Sequence, residues 1–362
     1  MGVLGELSDY DGAMTYGEKT GNSREPRRVT AAMVASHAGV STATVSLVAN
    51  GKSAGRVSAV NEQRVREAIR ELGYFVDSIG SSLAKGVSSL VIMVAPDISN
   101  PFFAKVIAGV RSVLANDYQL MLSVTDAGVS PSASETRKIM GLRPAGLLVH
   151  APSQEFLDEI SGNLPMVALD APGISEQFPA VNMDVAQGAR DVVAHFAALG
   201  HRKAAYLDAS TGTETLSVRR EAFLAAADEY GIEVLPGSVA SSKIDVTAAS
   251  QVFSENWEAW EKAGVTALGC ATDNHAFGVL HATRALDIRI PQQLAVAGFD
   301  DLPYSATSNP AITSVQLNAQ EGGRQAALKL LGLINGQSPE PLQSMLPSSL
   351  IVRGSTQPEE QS

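Results

Sequence analysis

Apolar positions along this 362-residue chain change their rhythm near residue 90. Before that point, from Val29 to Gly73, they recur at three- and four-residue spacing in short bursts, which is the period of amphipathic helices. Thr30 is placed to cap a helix over Ala31 to Ala38 that Gly39 ends, and Ser41 to cap a second over Thr42 to Ala49 that stops at Asn50-Gly51. Ser58 caps a third, in which Val65, Ile69 and Leu72 repeat at helical spacing up to Gly73. In the second helix Val45 and Val48 share one face, so Thr42, Ala43, Ser46 and Leu47 fall on the exposed one. Two short helices joined at a glycine turn, with a third to close a small core, make a helix-turn-helix.

Past residue 88 the rhythm is different. Short unbroken apolar runs at Leu90–Val94, Leu120–Val124, Gly146–His150, Met166–Leu169, Ala204–Leu207, Ala267–Ala271 and Leu294–Ala297 mostly alternate with amphipathic stretches such as Phe103–Ala115 and Val185–Leu199. Such runs predict buried parallel strands wrapped by helices, an α/β body. At roughly 265 residues that body is large for one doubly wound sheet and natural for two.

Charge adds a partner to this picture. The net charge of −11 is uneven: Arg24 to Lys85 sums to +4, and everything after Lys85 to −12. A small basic module ahead of a large acidic body points to nucleic acid for the former. Residues 1–28, rich in glycine, serine and charge without periodicity, predict a disordered extension. The 45% hydrophobic and 18% charged content excludes a disordered or fibrous chain as a whole. The apolar runs are far shorter than the ~18 to 20 residues of a membrane helix, and the first residues do not form a signal segment, so a cytoplasmic protein without membrane contact is expected. Cys270, the one cysteine, lies in the apolar run Leu268–Ala271 and reads as a buried thiol.

Chemistry-bearing motifs for catalysis are absent from the sequence. The six histidines show no metal-ligand spacing, and there is no Gly-x-Ser-x-Gly elbow, Walker phosphate loop or Gly-x-Gly-x-x-Gly fingerprint after a strand. We therefore expect no enzyme, no cofactor and no metal.

The motifs Val29-Thr30, Met33-Val34-Ala35, Ala38-Gly39-Val40-Ser41, Thr44-Val45-Ser46 and Asn50-Gly51, ending in Gly73-Tyr74, strongly resemble the DNA-binding head of the LacI/GalR family of transcription regulators. The resemblance continues to Thr356 through Asp97-Ile98-Ser99-Asn100-Pro101-Phe102-Phe103, Leu199-Gly200-His201-Arg202, Val296-Ala297-Gly298-Phe299-Asp300-Asp301, Thr313-Ser314-Val315-Gln316 and Leu350-Ile351-Val352-Arg353-Gly354-Ser355. It implies an all-α helix-turn-helix head (29–75), a hinge (76–87) and a periplasmic-binding-protein-like body of two doubly wound α/β subdomains. The N-terminal subdomain would comprise 88–199 and 316–345, and the C-terminal one 200–315 and 346–356, with crossings near Gly200, Gln316 and Met345.

Function follows from the same resemblance. The chain is expected to be a repressor that, as a homodimer or higher oligomer, reads a near-palindromic double-stranded operator and answers to a small effector, a sugar or nucleoside. Thr42, Ala43 and Leu47 match the positions that touch base edges. Leu47 stands where arginine is usual; it cannot make the bidentate guanine contact but can pack on a thymine methyl. Thr30, Ser41, Ser46 and Asn50 complete the expected DNA contacts. Leu83 would be the hinge wedge that enters the minor groove. Val76-Asp77, Gly80 and Ser81 depart from the family's hinge and lower its helix propensity.

Ligand should bind between the subdomains, at the carboxyl ends of strands. Phe102 and Phe103 would offer aromatic surface to a sugar's C–H face. Arg219, in Arg219-Arg220-Glu221-Ala222-Phe223, would donate a planar fork. Asp300 would accept from hydroxyls, and Thr272-Asp273 stands where the family shows Asn-Asp. Gln316 is a weaker candidate. The competing reading, an exported solute-binding protein of a sugar transporter, shares the body but has no use for a helix-turn-helix.

Overall fold

Capping hydroxyls start each helix of the N-terminal unit. The computed structural model describes residues 29–75, 88–96, 98–114, 117–126, 129–160 and 164–357. The expected extension (1–28), the hinge (76–87) with Leu83, and Asp97 lie outside the described residues. Thr30 Oγ1 accepts from Met33 N at 3.4 Å at the head of α1 (Ala31–Ala38), and Ser41 Oγ from Thr44 N at 3.2 Å at the head of α2 (Thr42–Ala49). Ser58 Oγ does the same for α3 (Ala59–Leu72). Gly39 and Gly73 take the left-handed conformation that ends α1 and α3, at φ +66° and +64°. Val34, Val45, Val48 and Val65 fill the core that these helices close. Every helix end here falls where the sequence predicts it.

The second unit, from Lys85, is an α/β body with two six-stranded sheets among the described residues. The first takes the order β11-β5-β4-β3-β1-β2, from β1 (Leu90–Pro96), β2 (Gln119–Thr125), β3 (Gly146–His150), β4 (Met166–Leu169), β5 (Ala180–Met183) and β11 (Gln343–Leu346), all parallel. The second runs β12-β10-β9-β8-β6-β7, from β6 (Ala204–Ala209), β7 (Val239–Ser242), β8 (Ala267–Cys270), β9 (Ala295–Phe299), β10 (Thr313–Leu317) and β12 (Ser348–Ile351). Only β12 is antiparallel there, to β10. Each sheet reverses its strand order once, at β1/β3 and at β6/β8, and such switch points are where doubly wound sheets open a crevice.

The crossings differ from the expected ones. Helix α7 (Val185–Ala198) packs on α8 (Glu214–Glu229), β10 and β12, so the chain has already crossed at Asp184 rather than near Gly200. The apolar run of α7 resembles any sheet-covering helix, and periodicity alone cannot say which sheet it covers. Strand β10, with Gln316, still belongs to the second sheet, and the return crossing is at Asn318. The last falls at Pro347, not Met345. These three points are stitched together: Ser348 Oγ donates to Asp184 O at 2.7 Å, Asp184 N to Leu346 O at 2.8 Å, and Asn318 Nδ2 to Pro347 O at 2.8 Å.

In the first subdomain, α4 (Pro101–Leu114) lies against α11 (Ala319–Ile334) at the closest approach that backbone allows. A Cβ on Gly109 would sit 1.9 Å from Gln320 O, and one on Gly323 2.1 Å from Val106 O. Among the described residues no single helix is long and apolar enough to cross a membrane. Cys270 is buried, as expected, and burial pushes its thiol well above the usual range.

Candidate functional site: a helix face and an interdomain cleft

On the head, Thr42, Ala43 and Ser46 are exposed along one side of α2, and Leu47 is half-buried beside them. Val45 and Val48 point into the core, which is why the outward face is forced to carry the others. The hydroxyls of Thr30 and Ser41 act first as helix caps, and Asn50 donates its amide to Ser46 O at 2.7 Å, fixing the end of α2. Thr30, Ser41 and Asn50 remain exposed, as do Lys52 and Arg56 in the following loop. The face is small, polar and flanked by cations.

In the body, the carboxyl ends of both sheets line a cleft that opens to solvent. From the first subdomain come Phe102 and Phe103, packed edge to face at 5.3 Å, together with Asn100, His150 and Asp170. From the second come Thr211, Thr213, Thr215, Arg219, Thr272 and Asp300. Asp170 is held at φ +53° just past β4, where few side chains sit without compensation. Its Oδ1 accepts from Thr215 Oγ1 at 2.9 Å, across the cleft, and its Oδ2 lies 3.2 Å from His150 Nε2. Burial opposes the Asp170 anion, but His150, Thr215 and Arg219 outweigh it and hold the carboxyl below its ordinary range.

Arg219 is buried at 3% exposure. Its Nη1 donates to the Ala271 carbonyl and lies 3.8 Å from Asp300 Oδ1, and its guanidinium sits 4.1 Å over the Phe299 ring. Asp300 and Asp301 follow β9 at φ +100° and +47°. A knot of bonds maintains this strained turn. Asp301 N donates to Ser314 Oγ at 3.0 Å, its carboxylate receives Arg353 Nη2 at 2.7 Å, and its carbonyl accepts from Lys105 Nζ of the opposite subdomain at 2.9 Å.

Burial pushes the Asp300 carboxyl up to about 7; Arg219 pulls it down, Asp273 pushes it up, Asn100 lowers it by hydrogen bonding and Asp170 raises it. A folded-state value above the ordinary 3.8 means that the native protein keeps a proton which the unfolded chain has lost. Stability therefore falls as pH rises from about 4 to about 7, by an amount on the order of 2 to 4 kcal/mol. Asp273, pushed up to about 6 mainly by burial, acts in the same direction. Asp300→Asn should flatten this decline, so its melting temperature, read against pH without ligand, should cross above that of the wild type toward the alkaline side. Parallel curves would contradict the assignment.

Two expected cleft residues are elsewhere. Asp273 is fully buried beneath the turn, with Oδ2 accepting from Leu302 N at 2.8 Å and Ser305 Oγ at 2.5 Å, and Oδ1 accepting from Ser314 Oγ at 2.6 Å. Both of its carboxyl oxygens are engaged in shaping the turn that presents Asp300. Gln316 donates to Asp301 Oδ2 at 3.0 Å and likewise supports the turn rather than lining the cleft. Thr272 does line it, while sharing its hydroxyl with His275 Nδ1 at 2.8 Å. Asn100, His150, Asp170 and the threonines 211, 213 and 215 were not singled out by sequence. His150 and Asp170 close two recognised strands, so the strand-end rule applied at β3 and β4 would have found them.

Comparison with known proteins gives a consistent set of likenesses. The family profile of the bacterial regulatory proteins, lacI family, matches residues 30–76, and that of the periplasmic binding protein-like domain matches residues 193–356. The HTH-type transcriptional regulator CelR of Thermobifida fusca is 30% identical over 345 residues, spanning 91% of this chain and 98% of that protein. The HTH-type transcriptional repressor CytR of Escherichia coli strain K12 is 27% identical over 330 residues, spanning 89% and 95%. Among solved structures, a CelR–cellobiose complex superposes with a TM-score of 0.66 at 26% identity, covering 91% of this chain and all of that one. The lac repressor dimer bound to operator and the anti-inducer ONPF superposes at 0.75 with 24% identity, covering 91% and 99%.

Proposed function

Since the chain belongs to the lacI family of bacterial regulatory proteins, we propose that it is a cytoplasmic repressor rather than an enzyme, acting as a homodimer on a near-palindromic operator. One observation carries the reading: a helix-turn-helix with an exposed polar face stands in the same chain as a two-lobed cleft whose buried polar atoms await partners. In this proposal Thr42, Ala43, Ser46 and Leu47 face base edges in the major groove, and two heads on one duplex require two half-sites. Thr30, Ser41 and Asn50, at the helix ends, lie where backbone phosphates are met. Leu83 is the hinge wedge. Arg219, Asp300, Thr272, Phe102 and Phe103, joined by Asn100, His150 and Asp170, hold a sugar or nucleoside.

A transporter's solute receptor would need only the body, and the helix-turn-helix weighs against it. The test is a mobility-shift titration at fixed salt on DNA upstream of the chain's own gene, against a scrambled duplex. Preference for the native sequence is expected, and indifference would overturn the proposal. Leu47→Arg supplies the missing guanine fork, and should shift preference toward a G·C pair at the contacted step by about 1 to 3 kcal/mol. A selection from randomised half-sites would read that change; an unaltered preferred sequence would remove Leu47 from the interface.

A further inference from the structure

Thr272 brings one hydroxyl to the cleft, and what that hydroxyl can do there is decided behind it. A threonine hydroxyl has one hydrogen to donate and two lone pairs with which to accept. Thr272 caps α10 (Asp273–Ala285), so one lone pair accepts from His275 N at 3.4 Å. The same oxygen meets His275 Nδ1 at 2.8 Å. His275 is fully buried behind Thr272 and does not itself line the cleft.

Burial pushes the His275 imidazole down to about 4, so at neutral pH the ring is uncharged and carries a single proton. Two arrangements follow, with opposite consequences. With the proton on Nδ1, His275 donates to Thr272, both lone pairs are taken, and the hydroxyl can only donate to a ligand. With the proton on Nε2, Nδ1 accepts the threonine's hydrogen and one lone pair remains, so the hydroxyl can only accept. Nε2 makes no hydrogen bond of ordinary geometry, yet the Ser242 backbone at the end of β7 favours a proton on the ring. With Nδ1 taken up by Thr272, that proton belongs on Nε2.

We infer that His275 is a positioning residue that fixes Thr272 as a hydrogen-bond acceptor toward whatever occupies the cleft, so that this position selects a ligand group that donates an O–H or N–H. This rests on the reading of the cleft as the effector site, and the test separates the two. Long-range proton–nitrogen spectra of the full-length protein, carrying isotope-labelled histidine, distinguish the two neutral forms. The His275 signals are assigned by their loss in His275→Leu or His275→Asn. The expected ring is neutral, with hydrogen on Nε2 and a bare Nδ1 whose resonance moves in Thr272→Val and much less in Thr272→Ser. A proton on Nδ1, or an Nδ1 resonance indifferent to Thr272→Val, overturns the inference. Melting temperatures with cellobiose, ribose, adenosine or cytidine then read the consequence. His275→Leu removes the acceptor and frees the hydroxyl's hydrogen, whereas the amide oxygen in His275→Asn can stand in for Nδ1. A compound that stabilises the wild type should need about tenfold higher concentration for the same rise in His275→Leu, and close to the wild-type concentration in His275→Asn. An equal response in wild type and His275→Leu overturns the role of His275. If none of the four compounds raises the melting temperature while the spectra are as expected, the sense of the Thr272 hydroxyl stands and the reading of the cleft as a sugar or nucleoside site fails.

Discussion

Arg219→Ala is expected to weaken effector binding tenfold to a hundredfold, through loss of charge-assisted hydrogen bonds worth on the order of 1.5 to 3 kcal/mol. Stability should fall as well, by about 3 kcal/mol, because the change strands Asp300 and removes a cation facing Asp170 in a buried site. Two controls separate the effects. Arg219→Lys retains the charge without the planar fork, so it should fold closer to the wild type and still bind effector poorly. Asp300→Asn should lose effector affinity while gaining alkaline stability, a combination that general misfolding cannot produce. Operator affinity without effector should stay near the wild-type value in all three that fold, since DNA reading belongs to a different unit. Isothermal titration with a sugar or nucleoside that raises the melting temperature of the wild type measures the first quantity. Normal effector affinity in either Arg219→Lys or Asp300→Asn would remove that residue from the site.

The second large effect concerns the scaffold. Gly323→Ala would force a methyl group to within 2.1 Å of Val106 O, and Gly109→Ala one to within 1.9 Å of Gln320 O. In both cases the obstacle is helix backbone, which cannot rotate aside, so α4 and α11 must separate. Overpacking of this kind typically costs about 1 to 3 kcal/mol, and contact with rigid backbone places these at or above the upper end. The melting temperature should drop by several degrees. Gly141→Ala is the matched control, since nothing lies within 4 Å of the added Cβ and alanine favours the helix end it occupies. Equal melting temperatures for Gly323→Ala and Gly141→Ala would contradict the packing.

Some of this molecule is legible in its sequence because the determinants are local. The caps Thr30, Ser41 and Ser58 and the stops Gly39 and Gly73 act within a turn of their own helix, and the head's element ends follow directly. Long buried strands such as β1 and β3 announce themselves by unbroken apolar runs. Helix α7 shows where the reading stops, because which sheet it covers depends on partners more than a hundred residues away in β10 and β12. Asp273 shows the same limit within a site. It neighbours Thr272, a cleft residue, yet the first residue of a helix points a different way from its cap, and Ser305, Ser314 and Leu302 claim the carboxylate from distant turns. His150 and Asp170 were readable by rule but carried no charge pattern or spacing that set them apart.

Cleft and helix face matter to the account only if they are coupled. A ligand shifts an equilibrium by its differential affinity for the two states, and the pairs Thr215–Asp170 and Lys105–Asp301, which span the subdomains, are the contacts a cleft ligand would redistribute. The decisive measurement is the affinity of the full-length protein for labelled upstream DNA by fluorescence anisotropy at fixed salt, with and without a sugar or nucleoside that raises its melting temperature, in wild type and Asp300→Asn. The account predicts a change of about tenfold or more in the wild type, little change in the variant, and equal ligand-free affinities. An affinity that the compound leaves unchanged in the wild type, or shifts equally in both proteins, would contradict it.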